Sequence, residues 1–534
     1  MQSGPTSSPI IAINGCLIIG ARFSPAASAA CPRPVEAFYS IPYASADRFS
    51  QARPLPLGSQ TSGKRLDASR LKHAGPNPNC TTSTLRLNIT RPSTASSQQS
   101  LPVLIYFHGG AFNFGDPSET DSVSFIAHAQ KDIIVVAVHY RLGVLGFLAG
   151  EGEANLGLKD QRLAIEWVHS WIPVFGGDPK LITLRGVSAG AHSVGHHMLN
   201  PSPLPFHKAI LESGSPTARS VLSASHPRTV ANLDSVRSSM LPVITPPGTV
   251  KVNFLLNAGL DVFSRHTDSL TWPFQPVVDG PGGIIPDLPL NLWQRKAPGG
   301  ETSPLPAAVI TGFCTSEGID FITESCSDFR SFFAKLIPSL TPTDLEALET
   351  LYPPNDQADR ADLVRRLGVA YGDYAYICPV IHTAHMISKL GGRVYLYEFA
   401  ALVSEANRAA SHASHSDLVT HSAVGAADYP GLGAVSGEMH SRWTEFAASP
   451  TGIFAEDRWP PFVTPFGEDD GDEAKGKLLV FGQGNDEVPG GGNAGVPVQT
   501  RTLTEREKEV CRFWWDRMEL SQGDGNAGVV SEAY

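Results

Sequence analysis

Charged residues are scarce in this sequence, and long apolar runs are missing from it. Asp, Glu, Lys and Arg make up only 17% of the 534 residues, and the net charge is −11. An acidic balance without a basic cluster argues against a nucleic-acid-binding protein. No stretch of 18 or more apolar residues occurs, so the sequence predicts no membrane-spanning helix. The 50 glycines and 43 prolines are spread along the chain, which excludes a coiled coil, a collagen and a disordered acidic chain.

A regular cysteine framework is missing as well. The seven cysteines are an odd number with wide spacing, and no Cys-x-x-Cys pair occurs, so the sequence predicts neither a disulfide scaffold nor a zinc site. This pattern favours a reduced protein in the cytoplasm. Two glycosylation sequons, Asn79-Cys80-Thr81 and Asn88-Ile89-Thr90, keep a secreted location as the alternative, although such tripeptides often arise by chance.

The apolar N-terminal segment has two interpretations. With the alanine-rich residues before Cys31 it resembles a secretion signal, but no basic region precedes it, and Pro9, Asn14 and Gly15 interrupt the apolar run. Asn-Gly is typical of a two-residue type I′ turn. The sequence therefore favours a β-hairpin over residues 11–18.

Short apolar runs rich in β-branched residues recur along the chain, with helical patterns between several of them. Strands alternating with helices predict an α/β fold, with a mostly parallel central sheet and helices on both faces. Because large α/β enzymes often form one unit, we expect a single domain over residues 1–534. The predicted strands are 103–107, 133–138, 182–184, 209–211, 307–311, 394–399 and 478–481. The predicted helices include 160–171, 191–199 and 505–520.

The most specific motif is Gly186-Val187-Ser188-Ala189-Gly190, between a predicted strand and a predicted helix. This context is typical of a nucleophile elbow, in which a tight turn lifts the serine hydroxyl above the sheet. The residues two before and two after the serine must be small because the turn brings them together. The other interpretation is an ordinary glycine-rich turn between strand and helix.

A second motif, His108-Gly109-Gly110-Ala111-Phe112, directly follows a predicted strand. Glycine-rich backbone lets N–H groups approach a substrate carbonyl without obstruction by side chains. The alternatives are a simple turn or a nucleotide-binding loop. No G-x-G-x-x-G or Walker pattern accompanies the motif, so an oxyanion hole is the favoured interpretation.

Together with seven further motifs, these two resemble the type-B carboxylesterase family, the α/β-hydrolases that include cholinesterases and fungal lipases. The resemblance extends from about residue 11 to about residue 517. The further motifs are Phe38-Tyr39-Ser40-Ile41-Pro42-Tyr43-Ala44, Tyr140-Arg141-Leu142-Gly143, Asn155-Leu156-Gly157-Leu158-Lys159-Asp160-Gln161, Phe175-Gly176-Gly177-Asp178-Pro179, Glu212-Ser213-Gly214-Ser215, Pro276-Val277-Val278-Asp279-Gly280 and Val394-Tyr395-Leu396-Tyr397-Glu398-Phe399.

The resemblance implies a serine hydrolase with an α/β-hydrolase fold, in which inserted loops and helices form a gorge. Ser188 would be the nucleophile, and the backbone amides of Gly110, Ala111 and Ala189 would form the oxyanion hole. The family acid is usually a glutamate in a Glu-Gly dipeptide after a strand, which points to Glu317. Such a carboxylate fixes the tautomer of the catalytic histidine. No metal and no organic cofactor would be needed.

The catalytic histidine is ambiguous in the sequence. The order serine, acid, histidine requires a histidine after Glu317. We favour His412, with His415 as the alternative and His421 third, because they lie in or beside a loop between a predicted strand and a predicted helix. Neither His412 nor His415 reproduces the family spacing cleanly. His382, His385 and His440 lie in helical patterns and are not favoured.

Three positions depart from the family pattern. Val187 replaces a glutamate, which removes a buried carboxylate and makes a cationic substrate less favourable. Ala111 stands where a third glycine is common, which keeps the amide but narrows the pocket. Cys80 lies where the first disulfide loop of the family begins, but its usual partner before Leu85-Arg86-Leu87-Asn88 is missing.

The sequence therefore predicts an enzyme that cleaves small-molecule esters through an acyl-enzyme, with an uncharged or apolar ester as substrate. An acyltransferase or cyclase that uses the same residues is the alternative. A non-catalytic binding protein is less favoured because Ser188 and Glu317 are both present. The aromatic residues Phe321, Phe329, Phe332 and Phe333 are expected to pack in the core, or else to line an apolar pocket. The number of subunits does not follow from the sequence.

Overall fold

The structure is a computed structural model. The N-terminal sequon at Asn79 and the cysteine at position 80 lie outside the residues that it describes. The described residues are 8–24, 31–47, 49–58, 65–71, 82–149, 153–218, 221–240, 252–266, 270–296, 304–323, 326–406, 408–422, 428–467 and 475–525.

Strands are distributed along the whole described chain, and the longest are near its N-terminus. They are β1 (Ile10–Ile13), β2 (Cys16–Ile19), β3 (Ala21–Phe23), β4 (Val35–Asp47), β5 (Arg53–Pro54), β6 (Arg65–Asp67), β7 (Thr82–Pro92), β8 (Leu101–Phe107), β9 (Ile134–Val138), β10 (Gly177–Val187), β11 (Lys208–Glu212), β12 (Leu222–Ser223), β13 (Val277–Val278), β14 (Ala308–Cys314), β15 (Val394–Phe399), β16 (Lys477–Gln483) and β17 (Val496–Thr502).

Helices follow most strands of the central sheet. They are α1 (Ser122–His128), α2 (Gly143–Phe147), α3 (Leu156–Trp171), α4 (Ala189–Leu199), α5 (Pro227–Met240), α6 (Val252–His266), α7 (Pro289–Arg295), α8 (Phe329–Leu336), α9 (Pro342–Leu351), α10 (Arg360–Gly372), α11 (Cys378–Lys389), α12 (Ser416–Thr420), α13 (Pro430–Ala448) and α14 (Glu505–Trp515). None of these described helices is both long and apolar enough to cross a bilayer.

The central sheet has a parallel middle and antiparallel edges. Its order is β17-β16-β15-β14-β11-β10-β8-β9-β7-β4-β3, with β5 paired to β4. All neighbours from β9 to β16 in this order pair in parallel. Every residue of β9, β11, β14 and β15 is buried, as expected for strands covered on both faces. The mostly parallel sheet predicted from the sequence is confirmed.

The antiparallel edges and the end of the last helix were not predicted. Strands β4, β7 and β17 carry many polar residues, so they lack the continuous apolar run by which the inner strands are recognised. The predicted helix over 505–520 is partly wrong. The α-helix ends at Trp515, and a separate 3-10 turn over Met518–Ser521 follows.

The N-terminal hairpin is present. Strands β1 and β2 pair antiparallel, and Asn14 and Gly15 between them both have positive φ, at 48° and 75°. These values are those of a type I′ turn. The hairpin interpretation of this segment is therefore confirmed.

The second sequon lies within a strand of the central sheet. Asn88 is in β7, and only 9% of its surface is exposed. Its Oδ1 accepts a hydrogen bond of 2.8 Å from the Ser40 amide. Because the Asn88 side chain is buried in the sheet, the folded chain does not expose this sequon.

A buried lysine holds the end of α13 against the sheet. Lys208, at the start of β11, is fully buried, and its Nζ donates to the carbonyl oxygens of Phe446 and Ala447 at 2.6 and 3.0 Å and also to that of Ser449. These carbonyls have no helical partners because the helix ends there.

We expect Lys208→Met to lower the free energy of unfolding by about 2–3 kcal/mol, because three carbonyl oxygens, two of them in buried hydrogen bonds, would lose their donor. Equilibrium unfolding in urea measures this change. Lys180→Met is the matched control, since Lys180 is exposed and surface substitutions usually change stability by less than about 0.5 kcal/mol. Equal unfolding midpoints for the two variants would contradict the prediction.

Candidate active site

Ser188 lies on a sharp bend between β10 and α4. Its backbone has φ +55° and ψ −122°. A Cβ atom at Gly186 would lie 2.2 Å from the carbonyl carbon of Gly190, and one at Gly190 would lie 2.0 Å from the carbonyl oxygen of Phe107. Both positions therefore require glycine, which explains the spacing of the motif. The bend presents Ser188 at the carboxyl edge of the parallel strands.

His412 lies between Ser188 and Glu317. Its Nε2 is 2.8 Å from Ser188 Oγ, and its Nδ1 is 2.5 Å from Glu317 Oε2. The three side chains come from separate parts of the sheet. Ser188 follows β10, Glu317 follows β14 and His412 lies in the loop after β15. With the proton on Nδ1, the imidazole donates to the carboxylate and accepts from the serine hydroxyl.

Glu317 is fully buried behind the histidine. Burial by itself would raise its pKa, but the imidazole of His412, the Cys314 amide and the Ser213 hydroxyl together hold the pKa below its ordinary value. The Cys314 amide donates to Oε1 at 2.7 Å. The carboxylate is thus ionised at neutral pH. Its contribution to stability is present above the ordinary glutamate pKa and is lost as the pH falls through the lowered pKa.

The other histidines named from the sequence lie elsewhere. His415 is fully buried, with Nδ1 3.2 Å from Cys314 Sγ and Nε2 3.0 Å from the Tyr397 hydroxyl. His421 directly follows α12, and its Nδ1 is 2.7 Å from Ser436 Oγ. His382 and His385 are buried in α11, and His440 is buried in α13.

The loop after β8 brings backbone amides beside Ser188. A Cβ atom at Gly109 would lie 3.1 Å from Ser188 Cβ, so the loop passes in direct contact with the serine. Within the described part of the chain, the amides of Gly110, Ala111 and Ala189 donate to no protein acceptor. Free amides beside a nucleophile, at the N-terminus of a helix, are able to bind a developing negative charge.

The alanine at position 111 adopts a glycine-like backbone. Ala111 has φ +50° and Phe112 has φ +64°, a region that most side chains avoid. The Asn113 side-chain amide donates to the carbonyl oxygens of Ala111 and Phe274, at 2.6 and 3.0 Å. These bonds hold the loop in its strained shape, which costs about 1–3 kcal/mol for each such residue.

Two aromatic rings pack against the imidazole. The ring centroid of His412 is 4.2 Å from that of Tyr376 and 5.3 Å from that of Phe321. Phe321 therefore lies at the site, whereas Phe329 and Phe333 are buried in the core and Phe332 packs against its edge. No motif in the sequence marks Tyr376, because it lies in a π-helical turn over Asp373–Ile377, which continues the helical pattern of α10.

Val187 belongs to a small apolar cluster under the elbow. It is 6% exposed and packs with Tyr106 and Ala137. A glutamate here would place a carboxylate among apolar side chains. The surroundings of position 187 are therefore suited to the valine that this chain carries.

Known proteins resemble this chain over most of its length. Residues 7–471 match the model of the family described as "Carboxylesterase family". Secreted lipase 4 of Gibberella zeae is 33% identical over 58% of this chain and 59% of its own length. Acetylcholinesterase 1 of Caenorhabditis elegans is 28% identical over 70% of this chain and 67% of its own. The chain thus spans less than two thirds of the length of the lipase.

Solved structures resemble the fold closely. The crystal structure of Aspergillus niger EstA superposes with a TM-score of 0.73 at 22% identity, covering 95% of this chain and 98% of that one. A structure titled PNB esterase gives a TM-score of 0.71 at 23% identity over 95% of this chain. The fold is the α/β-hydrolase fold, as predicted, and the chain belongs to the carboxylesterase family.

Proposed function

We propose that the protein is a serine hydrolase that cleaves carboxylic esters, with Ser188 as nucleophile, His412 as general base and Glu317 as the orienting acid. The observation that carries this proposal is the contact of one imidazole with both partners, at 2.8 Å to Ser188 Oγ and 2.5 Å to Glu317 Oε2. Membership of the carboxylesterase family supports it.

The reaction would proceed in two halves. His412 Nε2 takes the hydroxyl proton as Ser188 Oγ attacks the ester carbonyl, and the amides of Gly110, Ala111 and Ala189 stabilise the oxyanion. The imidazolium then gives its proton to the leaving alkoxide, so the alcohol departs and Ser188 carries the acyl group. In the second half, His412 takes a proton from water as the oxygen of that water attacks the acyl carbon. The bond from the acyl carbon to Ser188 Oγ then breaks, Oγ takes the proton back from the imidazolium, and the carboxylic acid is released.

We propose an uncharged ester as the substrate. Val187 provides no negative charge beside the nucleophile, and it packs with the buried side chains of Tyr106 and Ala137. A neutral substrate loses little hydration on entering such surroundings, whereas a cation needs a partner for its charge. We therefore expect faster hydrolysis of a neutral ester than of a choline ester of equal acyl length.

Covalent labelling tests the nucleophile. We expect a phosphonofluoridate to inactivate the enzyme and to add one phosphonyl group to the protein, detected by intact-mass spectrometry. Ser188→Ala should show no added mass. Ser193→Ala, which changes a buried serine in the following helix α4, should be labelled like the wild type. Full ester hydrolysis by a Ser188→Ala preparation, or inactivation without labelling at this residue, would contradict the proposal.

Acyl transfer uses the same acyl-enzyme and differs only in the acceptor. Chromatography of the products, with and without an added alcohol or amine, separates the two reactions. We expect free acid as the main product in both cases. A product in which the acyl group is attached to the acceptor, in excess over free acid, would instead favour the transferase.

The cellular location stays a prediction. The cysteines of the described residues, Cys16, Cys31, Cys314, Cys326, Cys378 and Cys511, are all free and buried, which supports the cytoplasm. The similarity to a lipase that is named as secreted supports the alternative. Immunodetection of the native chain in cells and in their medium would decide between the two.

A further inference from the structure

A buried ion pair joins the two strands that lead to the nucleophile, and the proposed reaction makes no use of it. Arg185 is in β10, three residues before Ser188, and Glu212 ends the neighbouring strand β11. The Arg185 Nε and Nη2 groups donate to Glu212 Oε1 and Oε2 at 2.9 and 3.1 Å. Arg185 is 2% exposed and Glu212 is fully buried. Two such bonds fix the orientation of the two groups as well as their distance.

Other elements of the fold also hold this pair. The indole N–H of Trp443 in α13 donates to Glu212 Oε1 at 2.5 Å. The guanidinium of Arg185 lies over the rings of Tyr106 in β8 and Phe125 in α1, with its Cζ 5.2 and 5.7 Å from their centroids. Such rings attract a cation. The ion pair therefore ties β10 and β11 to β8, α1 and α13.

The backbone of Glu212 contacts the nucleophile directly. Its carbonyl oxygen accepts a hydrogen bond of 2.8 Å from the Ser188 amide. Glu212 lies opposite Val187 in the pairing of β10 with β11, so this bond extends the pairing by one residue into the bend. Ser188 has a φ of +55°, and a non-glycine residue keeps such a conformation only where its surroundings enforce it. The bond to Glu212 is part of that enforcement.

The residue after Glu212 contacts the acid of the triad. The Ser213 hydroxyl hydrogen-bonds to the Glu317 carboxylate, and the Ser213 amide donates to the Gly312 carbonyl oxygen in β14 at 2.9 Å. The two-residue segment Glu212–Ser213 therefore connects the nucleophile with the acid. The side chain of Glu212 anchors this segment to the sheet.

A stabilising role is a weak explanation for this ion pair. Removing two charges from water costs about as much free energy as their attraction returns, and neutral replacements of both partners are often tolerated. A rigid connection between parts of the active site explains the pair better, because bidentate hydrogen bonds restrict geometry.

We propose that Arg185 and Glu212 are positioning residues for ester hydrolysis. Their ion pair fixes the segment Glu212–Ser213, and this segment holds Ser188 Oγ in line with the imidazole of His412. The inference rests on the proposed ester hydrolase activity and adds two residues to its machinery. Displacement of a reacting group by about 1 Å costs about 100-fold in rate, so a loosened segment is expected to slow acylation of the serine.

The double variant Arg185→Met/Glu212→Gln tests the proposal. It removes both charges together, and the glutamine oxygen still accepts from Trp443. Single-turnover bursts with 4-nitrophenyl acetate over a range of concentrations give the acylation rate constant and the dissociation constant of the substrate separately. We expect the acylation rate constant to fall by about 10- to 100-fold and the dissociation constant to stay unchanged. Circular dichroism and thermal unfolding show whether the variant is folded.

A second buried ion pair provides the matched control. Arg91 in β7 donates to Glu36 Oε2 in β4 at 3.1 and 2.9 Å, and their side chains are 8% and 3% exposed. Glu36 also accepts from a third group, Arg22, as Glu212 does from Trp443. These strands carry none of the three catalytic side chains. Arg91→Met/Glu36→Gln should therefore acylate like the wild type, whatever its loss of stability.

Arg185→Lys keeps the test decisive if the double variant does not fold. Lysine retains the buried positive charge but lacks the planar fork that makes two parallel bonds. We expect this variant to fold and to acylate more slowly than the wild type, with an unchanged dissociation constant of the substrate.

Each result has one interpretation. Wild-type acylation by the folded double variant, or by Arg185→Lys, would overturn the positioning role and leave the proposed activity intact. A loss of equal size in the control, or a change in the dissociation constant alone, would overturn it too. If the wild type formed no acyl-enzyme, the proposed activity itself would fail, and the positioning role with it.

Discussion

Replacement of Ser188 by alanine is expected to lower kcat for ester hydrolysis by about 10⁵- to 10⁶-fold, as in other serine hydrolases. The reason is that Ser188 Oγ, which lies 2.8 Å from His412 Nε2, is the atom proposed to form the acyl-enzyme. Because alanine is smaller and Ser188 is 8% exposed, the fold should persist. Residual hydrolysis would reflect the oxyanion amides acting on water.

Burst kinetics with an activated ester measure this effect. The wild type should release one equivalent of alcohol per enzyme in the burst, and Ser188→Ala should show none. Ser193→Ala is the control for a buried serine on α4, and its burst should be unchanged. A normal burst from Ser188→Ala, with an unaltered melting temperature, would show that another residue is the nucleophile.

The second large effect is expected at His412 and not at His415. His412→Gln should lower kcat by about 10⁵-fold or more, since glutamine cannot take the serine proton at neutral pH. His415→Gln should retain most of the activity and instead lose about 1–3 kcal/mol of stability, because the contacts to Cys314 Sγ and the Tyr397 hydroxyl are buried.

Steady-state kinetics and thermal unfolding of the two variants separate these effects. The comparison is well matched, since the substitution is the same and the positions are three residues apart. If His415→Gln were the inactive variant and His412→Gln the active one, the assignment of the base would be wrong. Glu317→Gln adds a further check, because an amide in place of the ionised carboxylate favours the wrong tautomer of the histidine.

The backbone at Ala413 explains why the sequence could not show which of His412 and His415 is the catalytic histidine. Its φ of +61° reverses the chain just after His412. As a result, His412 faces Ser188 while His415 points into the core between β14 and β15. An alanine carries no sequence signal for a left-handed conformation, and both histidines lie in the same loop. The spacing alone therefore could not separate them.

Other features of the site depend on contacts between distant segments. Tyr376 reaches His412 from a π-helical turn, and a cavity of about 480 Å³ is bounded by the loop after β8 together with α2 and α6. Neither of these two features has a local sequence pattern, because each joins parts of the chain that are far apart in the sequence. Likewise, β4, β7 and β17 were missed because antiparallel pairing with distant segments, rather than a run of apolar residues, makes them strands.

The sequence by itself determined the features that depend on residues close together in the chain. The elbow at Ser188 needs small residues at fixed spacing, the Asn14-Gly15 turn needs two positive φ angles, and buried parallel strands need continuous apolar runs. Only the tertiary structure decided which imidazole meets the serine, which rings surround it and where a cavity remains. The physical reason is that these features depend on how separate loops pack above the sheet. That packing is set by the shapes of side chains that are far apart in the sequence and meet only in the folded chain.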